Sequence, residues 1–579
     1  MDDRGWDACD VIIITGDAYV DHPSYGAAMI GRSLEREGFK VGVIAQPDCR
    51  NIDDFRKLGK PRLFFGVTAG NLDSMVANYT ANRKPRGEDD YSPGGRTGLR
   101  PDRATIIYTN MVRRAFPGAA IVIGGIEASL RRLAHYDYWS DRVKRSVLLD
   151  SKADVLVYGM GERTTAEIAK ALSAGSEIRR LDNIRGTVIA RNSLEYFENL
   201  IILPSYEDIA GNKDKFGEAF RKVYEEQDPY RGRTLVQKHG QRYVVVLPPA
   251  LPLTAAQMDS LYSAPFTMKP HPVYDSVPGF ETVRFSVTSH RGCPGECSFC
   301  SLYMHQGRII QSRSRRSIID EITGMASRED FKGTITDIGG PTANLYNAAC
   351  RQWTAQSGTC KSKKCLVPSK CGNLKTGYRE TLALWREASK IPKVKNIFIG
   401  SGVRYDLLIE TEADQYLEAL CRNHVSGRLK VAPEHSEKTV LEVMNKPPFD
   451  LYERFVEKYE RVNRFLKKKQ YLVNYFIVGH PGTTLEHALN LALTLKRMGI
   501  RPEQIQDYLP LPMTLSGCIY YIEKDPFTGK PVYVAKGARQ RKLQRALVQY
   551  SQPQNKRYVI EALRNLRRMD LAGTFFGGK

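Results

Sequence analysis

The chain has 579 residues, of which 42% are hydrophobic and 26% are charged. This balance excludes an intrinsically disordered chain and leaves room for three or four folded domains. Lys and Arg (86) outnumber Asp and Glu (64), which gives a net charge of +22. Such a charge permits a nucleic acid or another polyanion as a partner, and it fits a basic, solvated surface equally well.

The first residues do not have the pattern of a signal peptide or a membrane span. They are acidic, whereas a signal peptide begins with basic residues followed by an apolar stretch. The longest early apolar run, Val11–Ile14, is far too short to cross a bilayer. We therefore expect a cytoplasmic protein without membrane contact, whose eleven cysteines are metal ligands or thiols rather than disulfides.

Residues 1–275 alternate apolar strand patterns with helical patterns, and the first helix is predicted over Tyr25–Glu37. This alternation predicts a doubly wound, Rossmann-like α/β domain with ligands at the carboxyl ends of its strands. The turns Gly124-Gly125 and Gly159–Gly161 follow two of these strands and suit either a phosphate-bearing ligand or a tight turn. The polar segment Lys84–Asp102 predicts a long loop. The predicted strands are Val11–Thr15, Val41–Ala45, Leu63–Val67, Ala120–Ile123 and Val155–Tyr158.

Three cysteines follow the strand-like segment Val283–Ser289. Cys293, Cys297 and Cys300 are separated by three and then two residues. Three thiolates on one loop can hold three corners of an iron–sulfur cube, whereas an electron-transfer cluster takes four cysteines. The pattern therefore predicts a [4Fe–4S] cluster with one iron open to another ligand. A zinc ribbon or a ferredoxin-like cluster is the alternative, although zinc spacings usually need a second ligand pair nearby.

Residues 276–505 alternate strand and helix signals again, as expected for a full or partial (β/α) barrel with its site at the carboxyl ends of the strands. The predicted strands are Ile335–Ile338, Asn396–Ile399, Arg428–Val431 and Tyr471–Val478. The predicted helices are Ile318–Ala326, Glu380–Ser389, Val440–Met444, Tyr452–Phe465 and Leu485–Met498.

Residues 506–579 predict a short, basic, helical C-terminal domain. Between Ala535 and Lys579, the sequence contains eleven Lys or Arg residues but only two Asp or Glu residues. These helices suit nucleic-acid contact or a solvated face packed on the barrel. The predicted apolar stripes are Leu543, Ala546, Leu547 and Tyr550, and Ile560, Leu563, Leu566 and Met569.

A second cysteine group lies in a predicted insert, residues 350–371, of the barrel. Cys350, Cys360, Cys365 and Cys371 alternate with lysines, and their irregular spacing leaves zinc and a second iron–sulfur cluster both open. Unligated thiols or a redox pair are the remaining alternatives. Cys9, Cys49, Cys421 and Cys518 are isolated and are predicted to be structural.

The CxxxCxxC spacing, with Phe299 before the last cysteine, resembles the signature of the radical S-adenosylmethionine (SAM) superfamily. The resemblance implies that Cys293, Cys297 and Cys300 bind a [4Fe–4S] cluster whose open iron binds SAM. It also implies reductive cleavage of SAM to a 5′-deoxyadenosyl radical, which takes a hydrogen atom from the substrate. The cofactor would supply this chemistry while the protein positions it.

Further residues match positions of that superfamily. Phe299 would pack by the SAM adenine, and the backbone of Gly339 and Gly340 would receive the SAM amino group, although the usual acidic residue after these glycines is missing. Ser401 and Arg404 lie where relatives bind the ribose and the carboxylate. The remaining candidates are Glu434 and His435, which would meet SAM or substrate or act as loop residues, and the turn Gly479–Thr484 with His480.

Three longer segments, 17–26, 124–129 and 506–516, are similar to those of YgiQ-type radical SAM proteins, the UPF0313 family. The resemblance covers nearly the whole chain and implies an N-terminal α/β domain, a radical SAM partial barrel and a short C-terminal domain. The N-terminal region also resembles cobalamin-binding domains loosely, but the spacing around His22 differs from their histidine motif. We therefore do not expect cobalamin to be bound through His22; Asp21 and His22 bind substrate or form a structural turn.

These observations together predict a radical SAM enzyme of unidentified substrate, with RNA or another macromolecule weakly favoured. Its expected partners are that substrate and an electron donor such as flavodoxin or ferredoxin. The alternative is a non-catalytic, metal-binding protein that is associated with RNA or senses redox state.

Overall fold

The computed structural model describes residues 4–361, 363–502 and 504–576. Residues 1–3, Ser362, Glu503 and residues 577–579 belong to the predicted regions but lie outside the described residues. The described chain confirms the predicted α/β class: a large N-terminal sheet is followed by parallel strands with helices and then by C-terminal helices.

The N-terminal region consists of one large sheet, short accessory strands and nine α-helices within the described residues. Its strands are β1 (Val11–Thr15), β2 (Val20–Asp21), β3 (Val41–Ala45), β4 (Phe64–Thr68), β5 (Ile121–Gly124), β6 (His135–Asp137), β7 (Arg142–Lys144), β8 (Val155–Val157), β9 (Thr187–Arg191), β10 (Leu200–Leu203), β11 (Thr234–His239), β12 (Arg242–Val246) and β13 (Lys269–Pro270). Its helices are α1 (Gly26–Arg36), α2 (Ser74–Asn78), α3 (Ala104–Ala115), α4 (Gly125–Leu130), α5 (Val147–Ser151), α6 (Glu162–Ser173), α7 (Tyr206–Gly211), α8 (Lys213–Glu225) and α9 (Ala255–Tyr262).

The main sheet has the order β10-β11-β12-β9-β8-β5-β4-β1-β3. Strands β3, β1, β4, β5 and β8 are parallel, and the chain order reverses at β1. Both faces of β1 are covered: Ile12 and Ile14 pack with α3, whereas Val11 and Ile13 pack with α1 and α6. This double burial explains why β1 is a continuous apolar run rather than an alternating one.

The four strands β9 to β12 extend the sheet beyond the five predicted strands, in residues for which the sequence predicted only mixed structure. Strands β11 and β12 form an antiparallel hairpin in which His239 pairs with Arg242. The two-residue turn Gly240-Gln241 between apolar runs is a hairpin signal that the sequence analysis missed. The predicted loop Lys84–Asp102 contains no α-helix or strand, and its Arg100 is fully buried.

The next region starts with α10 and ends with β24. Its strands are β14 (Ser286–Thr288), β15 (His290–Arg291), β16 (Gln311–Ser312), β17 (Thr334–Ile335), β18 (Asp337–Gly339), β19 (Ala349–Cys350), β20 (Leu374–Lys375), β21 (Asn396–Ile397), β22 (Arg428–Glu434), β23 (Tyr471–Val478) and β24 (Gln504–Asp507). Its helices are α10 (Pro278–Val283), α11 (Leu302–Gln306), α12 (Arg315–Ser327), α13 (Tyr378–Ala388), α14 (Tyr405–Leu408), α15 (Asp414–Ala419), α16 (Lys438–Met444), α17 (Phe449–Phe465) and α18 (Leu485–Arg497).

These strands form an open barrel wall. Parallel pairs join β14 to β18, β17 to β21, β22 to β23 and β23 to β24. A parallel bridge between Val403 and Val431 connects the segment after β21 to β22. The carboxyl ends of the row therefore lie on one side, where a (β/α) barrel keeps its site. The predicted division between residues 505 and 506 falls inside β24.

The C-terminal helices are α19 (Leu515–Ile522), α20 (Ala538–Val548), α21 (Lys556–Asn565) and α22 (Ala572–Phe576). Helices α20 and α21 pack on α18 of the barrel. The first predicted stripe is largely correct, since Leu543, Ala546 and Leu547 are buried. The second is partly wrong: α21 buries Val559, Ala562 and Leu563, while Met569 is exposed beyond its end. No helix in the described residues is long and apolar enough to cross a membrane.

Candidate active site

The three predicted cluster ligands lie on one loop between β15 and α11. The side chains of Cys293, Cys297 and Cys300 belong to residues that are neither fully buried nor fully exposed. The Cys293 amide donates to Gly307 O at 3.0 Å, and the Cys300 amide donates to Cys297 O at 2.9 Å. The loop therefore turns back on itself and keeps its thiols in one short segment.

Neighbouring elements hold this loop from two sides. The Ser298 amide donates to Met444 O at 2.9 Å and its hydroxyl to Val443 O at 2.7 Å, both at the end of α16. On the other side, the Ser516 amide of α19 donates to Ser298 O at 2.8 Å. Asn445, in the left-handed region, donates to Glu296 O at 2.7 Å. These contacts fix the backbone from which the thiols project.

Arg404 places a positive charge next to the thiols. Its Nη1 lies 3.9 Å from Cys297 Sγ, and its guanidinium is held by two hydrogen bonds to Asp406, at 2.9 and 2.7 Å. A Cβ atom on Gly295 would lie 3.0 Å from Arg404 Nη1 and 3.3 Å from Cys293 Sγ. Glycine at 295 therefore permits the close approach of the guanidinium to the cysteine loop.

The pKa values of two of the three thiols are raised. Burial, followed by repulsion from Cys297, raises the pKa of Cys293 to about 11 and that of Cys300 to about 12. A metal-bound thiolate is deprotonated, because the cation compensates for the lost proton. The donor set is thus suited to a cationic iron cluster rather than to a reactive thiolate nucleophile.

In the described part of the chain, no group of three or more His, Cys, Asp or Glu side chains converges on one metal ion. Each thiolate of an iron–sulfur cube binds a different iron, so three cysteines on one loop suit a cluster by their number and chemistry.

Gly339 and Gly340 end strand β18 in close contact with two other segments. A Cβ atom on Gly339 would lie 2.4 Å from Ser401 Oγ, and one on Gly340 would lie 2.7 Å from His290 Nε2. Asp337 accepts hydrogen bonds from the Ser401 hydroxyl and from the Gly400 and Ser401 amides. Burial raises the pKa of Asp337 despite these donors. The structure therefore brings Gly339, Gly340 and Ser401 together.

Glu434 lies at the carboxyl end of β22 with a strained backbone. Its φ is +66°, and the register of β22 shifts between Val431 and Glu434. The side chain is buried, with Lys446 Nζ at 3.8 Å, and burial raises its pKa. A non-glycine residue in this region costs roughly 1–3 kcal/mol, and such residues cluster at functional sites.

The remaining candidates, Phe299, His435 and His480, make contacts with neighbouring protein groups. Phe299 makes an edge contact with His480, with ring centroids 5.9 Å apart. His480 Nε2 lies 2.7 Å from Ser516 Oγ, and its Nδ1 lies 2.7 Å from Pro481 O. His435 Nδ1 accepts from the amides of Ser436 and Glu437, at 3.0 and 3.1 Å. The structure therefore engages both histidines in local packing.

A cavity of about 610 Å³ lies between the N-terminal sheet and the barrel. Its N-terminal wall includes the ends of β4, β5 and β8, with the glycine turns 124–125 and 159–161. Its barrel wall includes Gly339, Gly340 and Ser401, together with residues that flank the cysteine loop. The carboxyl ends of both sets of parallel strands thus face one chamber, as expected for a ligand site.

The crevice beside β1, where the sheet reverses its order, is closed by a buried network. Arg100 donates to Asp17 Oδ1 at 2.6 Å and to Gly16 O at 3.0 Å, and the Asn71 amide donates to Asp17 Oδ2 at 2.6 Å. Burial raises the pKa of Asp17 to about 6, even though Arg100 lowers it. This network orders the loops beside the cavity.

Asp21 and His22 make bonds within the N-terminal region. Asp21 accepts from Arg32, at 3.1 and 2.5 Å, and from the Thr267 amide at 2.9 Å. His22 Nδ1 accepts from the Ser24 amide at 3.1 Å, and burial lowers the pKa of His22 to about 4. These contacts are those of an ordered turn.

Three cavity residues were missed by the sequence analysis. Arg291 donates to Glu162 across the domain boundary at 2.6 Å, with both side chains buried. His290 is fully buried, and burial lowers its pKa to about 4. His305 Nδ1 lies 3.2 Å from Ser129 Oγ, a residue of α4. Apart from the position of Arg291 two residues before Cys293, nothing local marks these residues, because the partners of Arg291 and His305 are more than a hundred positions away and His290 faces Gly340, fifty positions away.

Comparison with known sequences places the chain in a family. Three family models match it: "Radical SAM N-terminal" over residues 1–286, "Radical SAM superfamily" over 287–495, and a domain of unknown function (DUF3362) over 503–576. A UPF0313 protein of Methanocella arvoryzae is 50% identical over 570 residues, 98% of this chain and 95% of the relative. The chain belongs to the UPF0313 family. The predicted resemblance is therefore confirmed.

Other UPF0313 proteins match over a similar length. One from Clostridium botulinum strain 657 is 49% identical over 573 residues, 98% of this chain and 90% of the relative. Among solved structures, the radical SAM methyltransferase TsrM from Kitasatospora setae is 16% identical, with a TM-score of 0.49 over 87% of this chain and 75% of that one. The cobalamin-dependent SAM radical enzyme OxsB is 11% identical, with a TM-score of 0.48 over 97% of this chain and 62% of that one.

Proposed function

We propose that this UPF0313 protein is an enzyme that binds a [4Fe–4S] cluster through Cys293, Cys297 and Cys300 and cleaves SAM reductively. The observation that carries the proposal is the three-thiol loop, fixed at the barrel end with Arg404 Nη1 3.9 Å from Cys297 Sγ. The membership in the radical SAM superfamily supports it. When bound, the cluster and SAM would supply the radical chemistry of hydrogen abstraction, and Cys293, Cys297 and Cys300 would hold the cluster.

The residues around the loop offer complementary charges for the methionine part of SAM. Arg404 suits its carboxylate, because a guanidinium binds carboxylates through two parallel hydrogen bonds. Glu434 suits its ammonium group, since the carboxylate is buried and its nearest cation, Lys446, lies 3.8 Å away. The backbone of Gly339 and Gly340 would receive the same amino group, and Ser401 would bind the ribose. Phe299 would pack by the adenine.

The substrate would enter the cavity between the two parallel-strand systems. That cavity lies beside the cysteine loop and is lined by glycine turns of the N-terminal sheet. The net charge of +22 favours a polyanionic substrate such as RNA, or another macromolecule, over a neutral one. An electron donor such as flavodoxin or ferredoxin would reduce the cluster.

The test is anaerobic reconstitution of the full chain with iron and sulfide, followed by dithionite and SAM. We expect 5′-deoxyadenosine and methionine to form, detected by liquid chromatography. Cys300→Ala should abolish both products, because the cluster loses one of its three ligands. The matched control is Cys421→Ala, which removes a buried thiol outside the loop. A reconstituted wild-type protein that forms no 5′-deoxyadenosine would contradict the proposal.

A further inference from the structure

The four cysteines of residues 350–371 come together although they are spread along an irregular segment. Cys350 lies on β19, where it pairs with Leu374 of β20. The Cys371 amide donates to Cys365 O at 2.8 Å, which closes a turn between these two cysteines. All three of these cysteines pack against one small apolar cluster, formed by Leu345, Ala348, Leu366, Leu374 and Leu407.

Cys360 lies five residues before Cys365 in the same segment, and contacts with the N-terminal region hold the residue that precedes it. The Thr359 amide donates to Asp228 Oδ2 at 2.7 Å, and Arg231 donates to Thr359 O at 2.9 Å. None of the four cysteines forms a disulfide in the described structure.

Two lysines of the same segment lie beside these cysteines in the sequence. Lys364 donates to Tyr224 Oη at 2.7 Å and pairs with Glu296 at 3.4 Å, whereas Lys370 pairs with Glu412. A cluster with four thiolate ligands carries net negative charge, which nearby cations stabilise. The apolar cluster under three of the cysteines and the two lysines of the segment suit such an anionic centre.

We propose that Cys350, Cys360, Cys365 and Cys371 bind a second [4Fe–4S] cluster, fully ligated by protein. Four cysteines are the ligand number of a cluster without an open iron, in contrast to the three of the first loop. A structural zinc site would use the same four sulfurs around one ion, and the metal content of the variants below distinguishes it from a cluster.

The second site is linked directly to the first cysteine loop. Glu296, between Cys293 and Cys297, is buried and pairs with Arg308 at 2.6 Å and with Lys364 at 3.4 Å. Lys364 immediately precedes Cys365. A ligand of the second cluster and the backbone of the first loop are thus separated by a single ion pair, which places the two clusters next to each other.

The test uses the full chain, reconstituted anaerobically, and two sets of substitutions. The first combines Cys293→Ala, Cys297→Ala and Cys300→Ala; the second replaces Cys350, Cys360, Cys365 and Cys371 by Ala. We expect about eight irons and eight sulfides per wild-type chain and about four of each in either variant. Cys49→Ala, which removes a thiol outside both groups, should retain about eight irons.

Electron paramagnetic resonance of the reduced proteins identifies which cluster remains. The signal of the second variant should change when SAM is added, because its cluster has an open iron. The signal of the first variant should not change, because all four irons have protein ligands. The first variant does not alter the 350–371 segment, so the inference stays testable even where the second variant fails to fold.

Either of two results would overturn the inference: a first variant that contains no iron, or one that contains one zinc ion in place of iron. The outcome is separate from that of the proposed function. A wild-type protein that holds about four irons and cleaves SAM would contradict only the second cluster. A wild-type protein that holds about eight irons but forms no 5′-deoxyadenosine would contradict only the proposed SAM cleavage.

Discussion

At the residue scale, the tight contacts around Gly339 show how a small residue shapes the candidate SAM site. Its Cβ position is occupied by Ser401 Oγ at 2.4 Å and by Asp337 Oδ2 at 2.7 Å. No low-cost movement relieves this contact, because Ser401 and Asp337 are also hydrogen-bonded to each other. Substitution must therefore displace the loop after β21 or the end of β18.

We expect Gly339→Ala to lower the free energy of unfolding by roughly 1–3 kcal/mol, the range for overpacking a tight site. The matched control is Gly324→Ala in the last turn of α12, where an added Cβ meets nothing within 4 Å. That substitution should stabilise the protein by about 0.5–1 kcal/mol, because alanine is the better helix former. Urea unfolding followed by circular dichroism measures both. Equal effects of the two substitutions would show that the contact at 339 is not tight.

A second residue-scale prediction concerns Glu434 and depends on the proposed function. Loss of a charged hydrogen bond costs about 1.5–3 kcal/mol, so Glu434→Gln should weaken SAM binding roughly 10- to 100-fold without loss of iron. Isothermal titration of the reconstituted protein with SAM gives the affinity. The exposed Glu442→Gln is the control and should bind SAM like the wild type. An unchanged SAM affinity in Glu434→Gln would show that Glu434 does not contact SAM.

At the element scale, one buried ion pair joins the N-terminal sheet to the barrel. Glu162 opens α6, and Arg291 ends β15 immediately before the cysteine loop. Their side chains are only 4% and 5% exposed and lie 2.6 Å apart. The Arg291 guanidinium also donates to Tyr262 Oη at 3.1 Å. These contacts couple the position of the barrel strands to that of the glycine turns across the cavity.

We expect Glu162→Gln to cost about 3–5 kcal/mol of unfolding free energy, because it leaves the Arg291 charge buried without its partner. The control pair is Arg316 and Asp320, whose side chains are 91% and 69% exposed. Asp320→Asn should change stability by less than about 1 kcal/mol, because solvent screens exposed pairs. Urea unfolding monitors both variants. A cost for Glu162→Gln as small as that of the control would mean that water reaches the interface.

The elements were predictable wherever the pattern is local. The apolar run of β1 and the helical period of α17 lie within one element, so the predicted strand at Val11–Thr15 matches and the predicted helix at Tyr452–Phe465 begins only a few residues late. Likewise, the three candidate cluster ligands could be proposed from the sequence because their spacing is a short-range motif. The Glu162–Arg291 pair could not be found in this way, since it depends on how two distant elements pack. The pairing of β9 with β12 was missed for the same reason, since it spans a long, irregular segment, whereas the β11–β12 hairpin had a local turn signal.

At the scale of the whole molecule, several histidines are buried and neutral. His239 is 6% exposed and stacks on Tyr206, with ring centroids 5.6 Å apart. Burial lowers its pKa to about 4 from an ordinary value of 6.5. The same cause lowers the pKa of His290 and of His305 to about 4. The unfolded chain therefore binds protons more tightly than the folded one as the pH falls through this window.

Each buried neutral histidine contributes to the free energy of unfolding. This contribution is fully present above about pH 6.5 and is lost as the pH falls toward about 4. We expect His239→Phe to reduce the loss of stability between pH 7 and pH 5 by about 2 kcal/mol relative to wild type. Urea unfolding at a series of pH values gives this difference. His271→Phe, at an exposed position, controls for the removal of an imidazole. If the free energy of unfolding of His239→Phe fell with pH in parallel with that of the wild type, His239 would not be buried in its neutral form.

The contact of α19 with the cysteine loop has a practical consequence for handling the protein. Ser516 bonds to Ser298 through both backbone and side chain, with hydroxyl oxygens 2.7 Å apart. The C-terminal residues are thus part of the wall that shields the proposed cluster. A truncated chain that ends at the barrel would leave this side open to dissolved oxygen. The proposed cluster should bleach faster in air in such a chain than in the full-length protein, which makes the intact C-terminus the form to purify.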